Sequence, residues 1–478
     1  MQQPEVGHDQ LDMLFNARGV AIIGASSVPG KPGNQIILFA LEMDYQGAIY
    51  PVNPSATTIS GLKCYKNIGE VPGLVDLVVV VLPAAACVDA AKEIVARKKE
   101  KGDVAGVVVV SAGFSEHGAD GRQREQELRE ILVANGIRLV GPNCQGIMDT
   151  YSGVNTTFDV GRYPRGGLSF IAQSGAFSVS YLEWAHPLGL VGLNKYVSMG
   201  NMADVNAIEL LRYLGKDERT RVIALYLEGI GNARELIEAA TEVSKRKPIV
   251  AFKAGKTELG SQAAQTHTGS IAGSDAIYDG AFRQAGVIRA ATVAEFYDTC
   301  RAFGKLPRPR GNRIYILTVV GGPGTICLDE LSRAKQIRMA QIAETTKENL
   351  RATLAPTATV DRPRGYTDMT GAVNEELHQE VLKIVLSDPN VDGLIYLTTP
   401  PAFLDERKLA ENLVAAYQSF PEEQRKPVLA VLGYGYAVAE GRKILEANGL
   451  PTLEYPDVAA KVMANLVTYS QYQARVSK

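Results

Sequence analysis

The chain reads as an α/β protein built from three open, doubly wound units in a row. Three observations predict this. Solid runs of Val and Ile recur without polar alternation, the pattern of parallel strands buried on both faces. Segments of helical length separate those runs. The length, 478 residues, suits roughly three domains at about 150 residues each.

The first unit opens with "GVAIIGAS" (19–26) and continues through "AIYPVNP" (48–54), "DLVVVVLP" (76–83), "GVVVVSAG" (106–113) and "IRLVGPN" (137–143). Helical stretches such as "QIILFALEMD" and "DAAKEIVARKKEKG" lie between these strands. The second unit begins near Gly166, with strands "GLSFIAQ", "LNKYVSMG", "RVIALYLEG" and "PIVAFKAG". "KLPRPRGN" (305–312), rich in Pro and Arg, reads as a linker. The third unit follows with "RIYILTVVGGPG", "VDGLIYLTT" and "PVLAVLGYG". The expected divisions are 1–147, 148–304 and 312–478.

Composition narrows the function classes. Hydrophobic residues make up 46% and charged residues 21%, ordinary for a globular protein. The net charge is −2 and no basic tract occurs, which argues against nucleic acid as a partner. No apolar run approaches the ~20 residues of a spanning helix. The N-terminus lacks the layout of a signal peptide. The cysteines at 64, 87, 144, 300 and 327 are odd in number and dispersed. They fit reduced thiols in a cytoplasm.

Candidate chemistry sits at strand ends. Gly24, Ala25 and Ser26 follow a buried strand, and "VPGKPGNQ" leads into a helix. Such a turn presents N–H groups and a helix N-terminus to phosphate, and Lys31 adds a charge. The alternative is a plain tight turn, since the three-glycine dinucleotide spacing is missing. The neighbouring ends "PVNP", "LPA", "SAGFSE" and "GPNCQG" would gather beside it. Ser174, Gly175 and Ala176 in "AQSGAFSVSYLEWA" repeat the strand–turn–helix theme as an anion site. Ser174 as an ordinary N-cap remains open. GxSxG is absent, so a serine nucleophile is a poor fit.

His267 is the third candidate. The chain has only 5 histidines, yet one stands in "AAQTHTGSIAGSD" (263–275), among side chains too small to crowd a phosphate. We read this stretch as a loop, with a helix starting in "SIAGSDAIYDGAF". A metal role is unattractive because no second His or Cys lies at ligand spacing. A general base needs an orienting carboxylate, and Glu228, ending "ALYLEG", is a candidate. Phe158, Tyr163 and Trp184 could wall a pocket, with core packing the simpler role for each.

These motifs form a recognisable set. "QTHTGSIAGSDAIYDGAFRQAGVIR" resembles the phosphohistidine segment of the NDP-forming acyl-CoA synthetases, the wider family of succinyl-CoA synthetase. Within it, the α subunits of ADP-forming acetyl-CoA synthetases are most similar. The likeness extends over nearly the whole chain, through "VAIIGASSVPGKPGNQ", "IYPVNP", "VVVVSAGFSE", "VGPNCQGIMDT", "GGLSFIAQSGAFSVSYLEWA" and "VVGGPGTICLDEL". It implies a Rossmann-like CoA-binding domain followed by two flavodoxin-like domains. It also implies His267 as the phosphorylated nucleophile, Glu228 as the acid orienting its imidazole, and Ser174, Gly175 and Ala176 as the phosphate site. Gly24, Ala25, Ser26 and Lys31 match the loop for the CoA phosphates. Val52, Asn53, Pro83, Ser111, Ala112 and Gly113 would line the CoA site, with Asn143 and Cys144 near its thiol.

The resemblance further implies a partner β subunit with an ATP-grasp domain carrying Mg-ADP or Mg-ATP, in an α2β2 assembly. CoA or acyl-CoA, phosphate and a small carboxylic acid would bind this chain, with no metal of its own and no membrane partner. One departure stands out. Where the family often reads "NPVD" before "LTG", this chain has "DRPRGYTDMTG" (361–371), with Asp368 in the acidic place. The acid is left unnamed by the sequence. A Rossmann oxidoreductase and a non-catalytic CoA-binding subunit are the competing readings. The glycine spacing speaks against the first, and the phosphorylatable histidine against the second.

Overall fold

The protein is described by a computed structural model covering residues 8–229, 232–268, 275–371, 373–400, 404–433 and 435–477. It forms two compact units. One comprises residues up to His186 and Val191–Arg289; the other comprises Pro187–Leu190 and Ala290–Lys478.

The first unit holds two main sheets. The first has five parallel strands in the spatial order Ala48–Val52, Gly19–Ile23, Leu77–Val80, Gly106–Val109, Arg138–Val140. The strands Leu77–Val80 and Gly106–Val109 are wholly buried, which is why they carry no polar alternation. The order reverses direction beside Gly19–Ile23, so the crevice outside that strand's C-terminal end is where ligands bind in such sheets. Helix Ala84–Lys101 covers this sheet. It stops at Gly102, whose φ of +71° closes the last turn, with Lys98, Lys99 and Lys101 set against the helix dipole.

The second sheet has six strands. Their order is Ile288–Arg289, Ile249–Lys253, Val222–Leu227, Arg165–Ala172, Leu193–Ser198, Ile147–Asp149. All neighbours run parallel except the edge strand Ile147–Asp149, which is antiparallel to Leu193–Ser198. Here the order reverses between Arg165–Ala172 and Val222–Leu227. The crevice therefore opens where those two strands end, at Gln173 and Glu228.

The two sheets share an apolar cluster that includes Ile22, Ile36, Ile171 and Val197. A buried ion-pair group also ties them. Arg138, on the last strand of the first sheet, donates to Asp204 at 2.8 Å and to Glu209 at 2.6 Å. Burial opposes its charge, but hydrogen bonds from the guanidinium to Glu209 and Asp204 outweigh that and raise its pKa.

The other unit contains the third sheet. Its parallel strands lie in the order Arg338–Met339, Arg313–Thr318, Gly393–Thr398, Val428–Leu432, Thr452–Leu453, with Tyr366–Asp368 pairing to Arg313–Thr318. Tyr366–Asp368 lies inside the divergent stretch 361–371. Helix Val293–Lys305, read from sequence as the end of the second unit, packs on the terminal helix Pro456–Val476. Asn465 donates to Glu295 at 2.9 Å and to Thr299 at 3.1 Å, and Arg301 pairs with buried Glu446. The Pro/Arg stretch therefore follows a helix that already belongs to this compact unit.

Among the described residues, no helix is long and apolar enough to cross a membrane.

Candidate active site

The turn after Gly19–Ile23 is built by backbone constraint. Gly24 has φ +87°, and a Cβ there would stand 2.2 Å from the carbonyl oxygen of Val81. Only glycine fits between the two strand ends at the crevice. The Ser26 hydroxyl accepts from the Val28 N–H at 3.1 Å. Lys31 is the exposed N-cap residue of helix Pro32–Glu42, which begins with proline and has no side-chain cap. Asn53 donates to the Ala25 carbonyl at 2.8 Å, fastening the neighbouring strand end to this turn. The Ser111 hydroxyl donates to the Leu82 carbonyl, one residue before Pro83. The Asn143 N–H reaches the Ser111 carbonyl at 2.9 Å. Thus Gly24, Ala25, Asn53, the Leu82–Pro83 turn, Ser111 and Asn143 form one connected rim. Val52 is buried beneath it, and Ala112 is exposed.

Gly113, at φ +106°, is held by Glu116, whose carboxylate accepts from the N–H groups of Gly113 at 2.5 Å and Phe114 at 3.1 Å. Asn201 donates to the same carboxylate at 2.6 Å and to Glu125 at 2.7 Å. Burial pushes the Glu116 carboxyl up, but these hydrogen bonds outweigh it and hold the pKa below the usual range.

A cleft of ≈ 210 Å³ joins this rim to the second sheet. It is lined on one side by Asn143 and Cys144 and on the other by Gln173, Ser174, Gly175 and Ala176; Gln145, Phe158 and Asn201 also reach it. Asn143 takes a left-handed φ of +56°, a conformation asparagine tolerates. The Cys144 thiol is buried, which pushes its pKa up to about 12. It stays neutral, a packing group on the cleft wall.

Ser174 caps helix Gly175–Ala185, its hydroxyl accepting from the Phe177 N–H at 3.4 Å. The N–H groups of Gly175 and Ala176 belong to the first turn, which has no intrahelical acceptors. Cap and anion site are thus compatible. Gly175 is also forced by packing, because a Cβ there would lie 2.0 Å from Cγ of Gln145.

Glu228 is buried at the end of Val222–Leu227. The Tyr226 hydroxyl donates to its carboxylate at 3.1 Å. Its backbone is pinned twice. Gln173 Oε1 accepts from the N–H groups of Glu228 at 2.8 Å and Gly229 at 3.1 Å, and Lys253 Nζ donates to the Glu228 carbonyl at 2.7 Å. Burial pushes the Lys253 ammonium down from its ordinary pKa.

The backbone of His267 lies on helix Glu258–Thr268, not in the loop the small residues suggest. Ala and Gln are good helix formers and outweigh the hydroxyl and glycine content there. The His267 side chain lies outside the described residues, as do 269–274, and with it the pairing to Glu228. The next described helix is Asp275–Ala285, inside the stretch read as helical. Among the described residues, no group of three or more His, Cys, Asp or Glu side chains is arranged to hold a metal.

Two lining residues carry little signal in the sequence: Gln173 reads there only as part of a turn, and Asn201 as nothing in particular. Phe158, one of the three aromatics offered as a pocket wall, does reach the cleft. Tyr163 is indeed core, donating to the Leu182 carbonyl at 3.0 Å, and Trp184 is exposed.

Two known families match the chain in succession. Residues 18–150 match the CoA binding domain family, and residues 165–303 match the succinyl-CoA ligase like flavodoxin domain. Subunit alpha of ADP-forming acetate–CoA ligase II from Pyrococcus furiosus is 42% identical over 458 residues, 95% of this chain and 97% of that one. ADP-forming acetate–CoA ligase I of Archaeoglobus fulgidus is 37% identical over 97% of this chain, but only 64% of its own length is matched. The dinucleotide-forming acetyl-coenzyme A synthetase 1 of Ca. Korarchaeum cryptofilum, solved with phosphate and ADP, superposes with a TM-score of 0.90 at 33% identity, covering 98% of both chains. Near-complete coverage at this identity means that the chain belongs, as an α subunit, to the ADP-forming acyl-CoA ligases of the succinyl-CoA synthetase superfamily.

Proposed function

We propose that this chain carries the acyl-transfer half of a reversible reaction, in which acyl-CoA, phosphate and ADP yield a carboxylic acid, CoA and ATP. The observation that carries the reading is the cleft, which joins Asn143 and Cys144 with the helix start at Ser174, Gly175 and Ala176.

Phosphate at that helix start attacks the thioester carbonyl. The C–S bond breaks, CoA leaves as its thiol, and acyl phosphate forms. A nitrogen of His267 then attacks phosphorus, and the acid departs as carboxylate. Neutral imidazole suits this step near pH 7. Glu228 accepts from the other ring nitrogen and fixes the tautomer. The helix N–H groups stabilise charge on the moving phosphoryl group without reorganising. Gly24, Ala25, Ser26 and Lys31 take the CoA phosphates, with Val52, Asn53, Pro83, Ser111, Ala112 and Gly113 along the rest of the cofactor. The phosphohistidine passes its group to ADP.

The nucleotide site belongs to a partner subunit of ATP-grasp type, in an α2β2 enzyme. The longer Archaeoglobus relative supports this, because this chain accounts for 64% of it. Residues 1–147 act as the CoA-binding domain, with 148–304 and 312–478 as the flavodoxin-like domains and helix Val293–Lys305 packed against the last of them. The five cysteines are all free and buried, which supports a cytoplasmic setting. The relatives' names make acetyl the first acyl group to test.

The test is phosphorylation of the purified chain with radiolabelled phosphate and a panel of acyl-CoA thioesters, with and without its partner. An acid-labile, alkali-stable label should form with acetyl-CoA and disappear in His267→Ala, and the best thioester of the panel identifies the acyl group. A label that survives the substitution removes His267 from the role.

A further inference from the structure

We propose that Gln173 is a substrate-binding residue, its side-chain Nε2 donating a hydrogen bond to an oxygen of the phosphate held at the start of helix Gly175–Ala185. The inference rests on the reading above that phosphate binds there.

An amide side chain is ambiguous by itself, because its oxygen and nitrogen have nearly the same shape. Here the surroundings remove the ambiguity. Two backbone N–H groups, from Glu228 and Gly229, point at one end of the Gln173 amide, at 2.8 and 3.1 Å. Only an oxygen satisfies both. The other end is therefore the NH2 group. It is buried, in a residue only 3% exposed, and has no hydrogen-bond partner among the described residues. A buried donor left unpaired is costly, and such groups are rare in folded proteins. Gln173 lines the cleft next to Ser174, Gly175 and Ala176. A ligand oxygen in the cleft is the partner that completes it.

The chemistry selects phosphate. The described lining is neutral, so on this wall neutral donors meet its oxygens. Two first-turn N–H groups leave several lone pairs unmet. Gln173 stands immediately before the cap residue Ser174, at the end of the same strand. Its second contact gives it a further consequence. One amide joins the phosphate site to the backbone of Glu228, so the carboxylate assigned to His267 and the phosphate are positioned from a single side chain.

Gln173→Glu separates these two duties. The carboxylate keeps an oxygen facing the Glu228 and Gly229 N–H groups, while the donor becomes a repelling oxygen. Binding of inorganic phosphate and of CoA to the intact chain is measured by calorimetry. Phosphate affinity should fall by at least about tenfold, as for a lost hydrogen bond to a charged group, with CoA affinity unchanged. Equal phosphate affinity in wild type and variant overturns the proposal. So does a defect confined to the acyl-CoA KM in the assembled enzyme, which would move the donor to the thioester carbonyl. A crystal structure of the wild-type chain with inorganic phosphate checks the same point without a variant. An oxygen should lie within hydrogen-bond reach of Nε2, and phosphate bound elsewhere overturns the assignment. Absence of the histidine label described above, with phosphate still bound, would instead count against the overall reaction.

Discussion

Glu116 gathers three hydrogen bonds from Gly113, Phe114 and Asn201, and its pKa is held below the ordinary value. A depressed folded pKa contributes stability that is present above the unfolded glutamate pKa of about 4.3. That contribution is lost as pH falls through the lowered folded value. Urea unfolding of wild type should therefore show a loss between about pH 5 and pH 3 that Glu116→Gln does not share. Parallel pH profiles for the two proteins would contradict this. At the same scale, Ser174 and Glu228 are legible from sequence because each ends a buried strand in a turn. The second duty of Gln173 is not, since its partners Glu228 and Gly229 come from a strand far along the chain. Only the sheet order makes them neighbours.

Among elements, the strand–turn–helix at Gly24 is legible as a turn, while the reason for its glycine is not. The glycine suggests a phosphate cradle. Its geometry adds that a side chain at φ +87° would collide with the Val81 carbonyl. Gly30, at φ +81°, has open space where a Cβ would stand, with nothing within 4 Å. Gly30→Ala should cost about 1 kcal/mol, the left-handed penalty alone. Gly24→Ala should cost several times more, because strand ends must move as well. Thermal melting of both variants checks the contrast, and similar values would refute it. The long Val/Ile strands are legible because burial on both faces leaves no room for polar residues. Ile147–Asp149 and Ile288–Arg289 are too short to carry any period, so the sequence does not announce them. The helix through His267 is equally hidden, because small and hydroxylated residues suit a turn as well.

For the molecule as a whole, the three-sheet architecture is legible from the spacing of buried runs. Which sheet a helix covers is not, because periodicity marks an apolar face without naming its partner. Helix Val293–Lys305 is the example. Long-range ties such as Arg138 to Asp204 and Glu209 are equally invisible, with more than sixty residues between partners. Arg138→Met would leave two carboxylates without their buried cation and should destabilise the chain by about 3–5 kcal/mol. The exposed pair Arg162–Asp44 is the control, worth less than about 1 kcal/mol. Chemical denaturation that fails to separate the two substitutions would rule out the tie between the sheets.

The stretch between the last strand of the first sheet and the first strand of the second runs from Gly141 to Gly146. Its carbonyls at Gly141, Pro142 and Gly146 accept from Ala203, Asn201 and Ser198, and the N–H groups of Asn143 and Gln145 are also engaged. The same stretch lines the cleft through Asn143, Cys144 and Gln145. Connectors usually have slack, and lineages lengthen, shorten or recombine them freely. This one has none to give. A one-residue insertion would unseat the wall of the cleft while leaving both sheets intact. The two domains can thus be inherited or transplanted as a working pair only together with this strip, and in evolution its length should drift less than that of any surface loop around it.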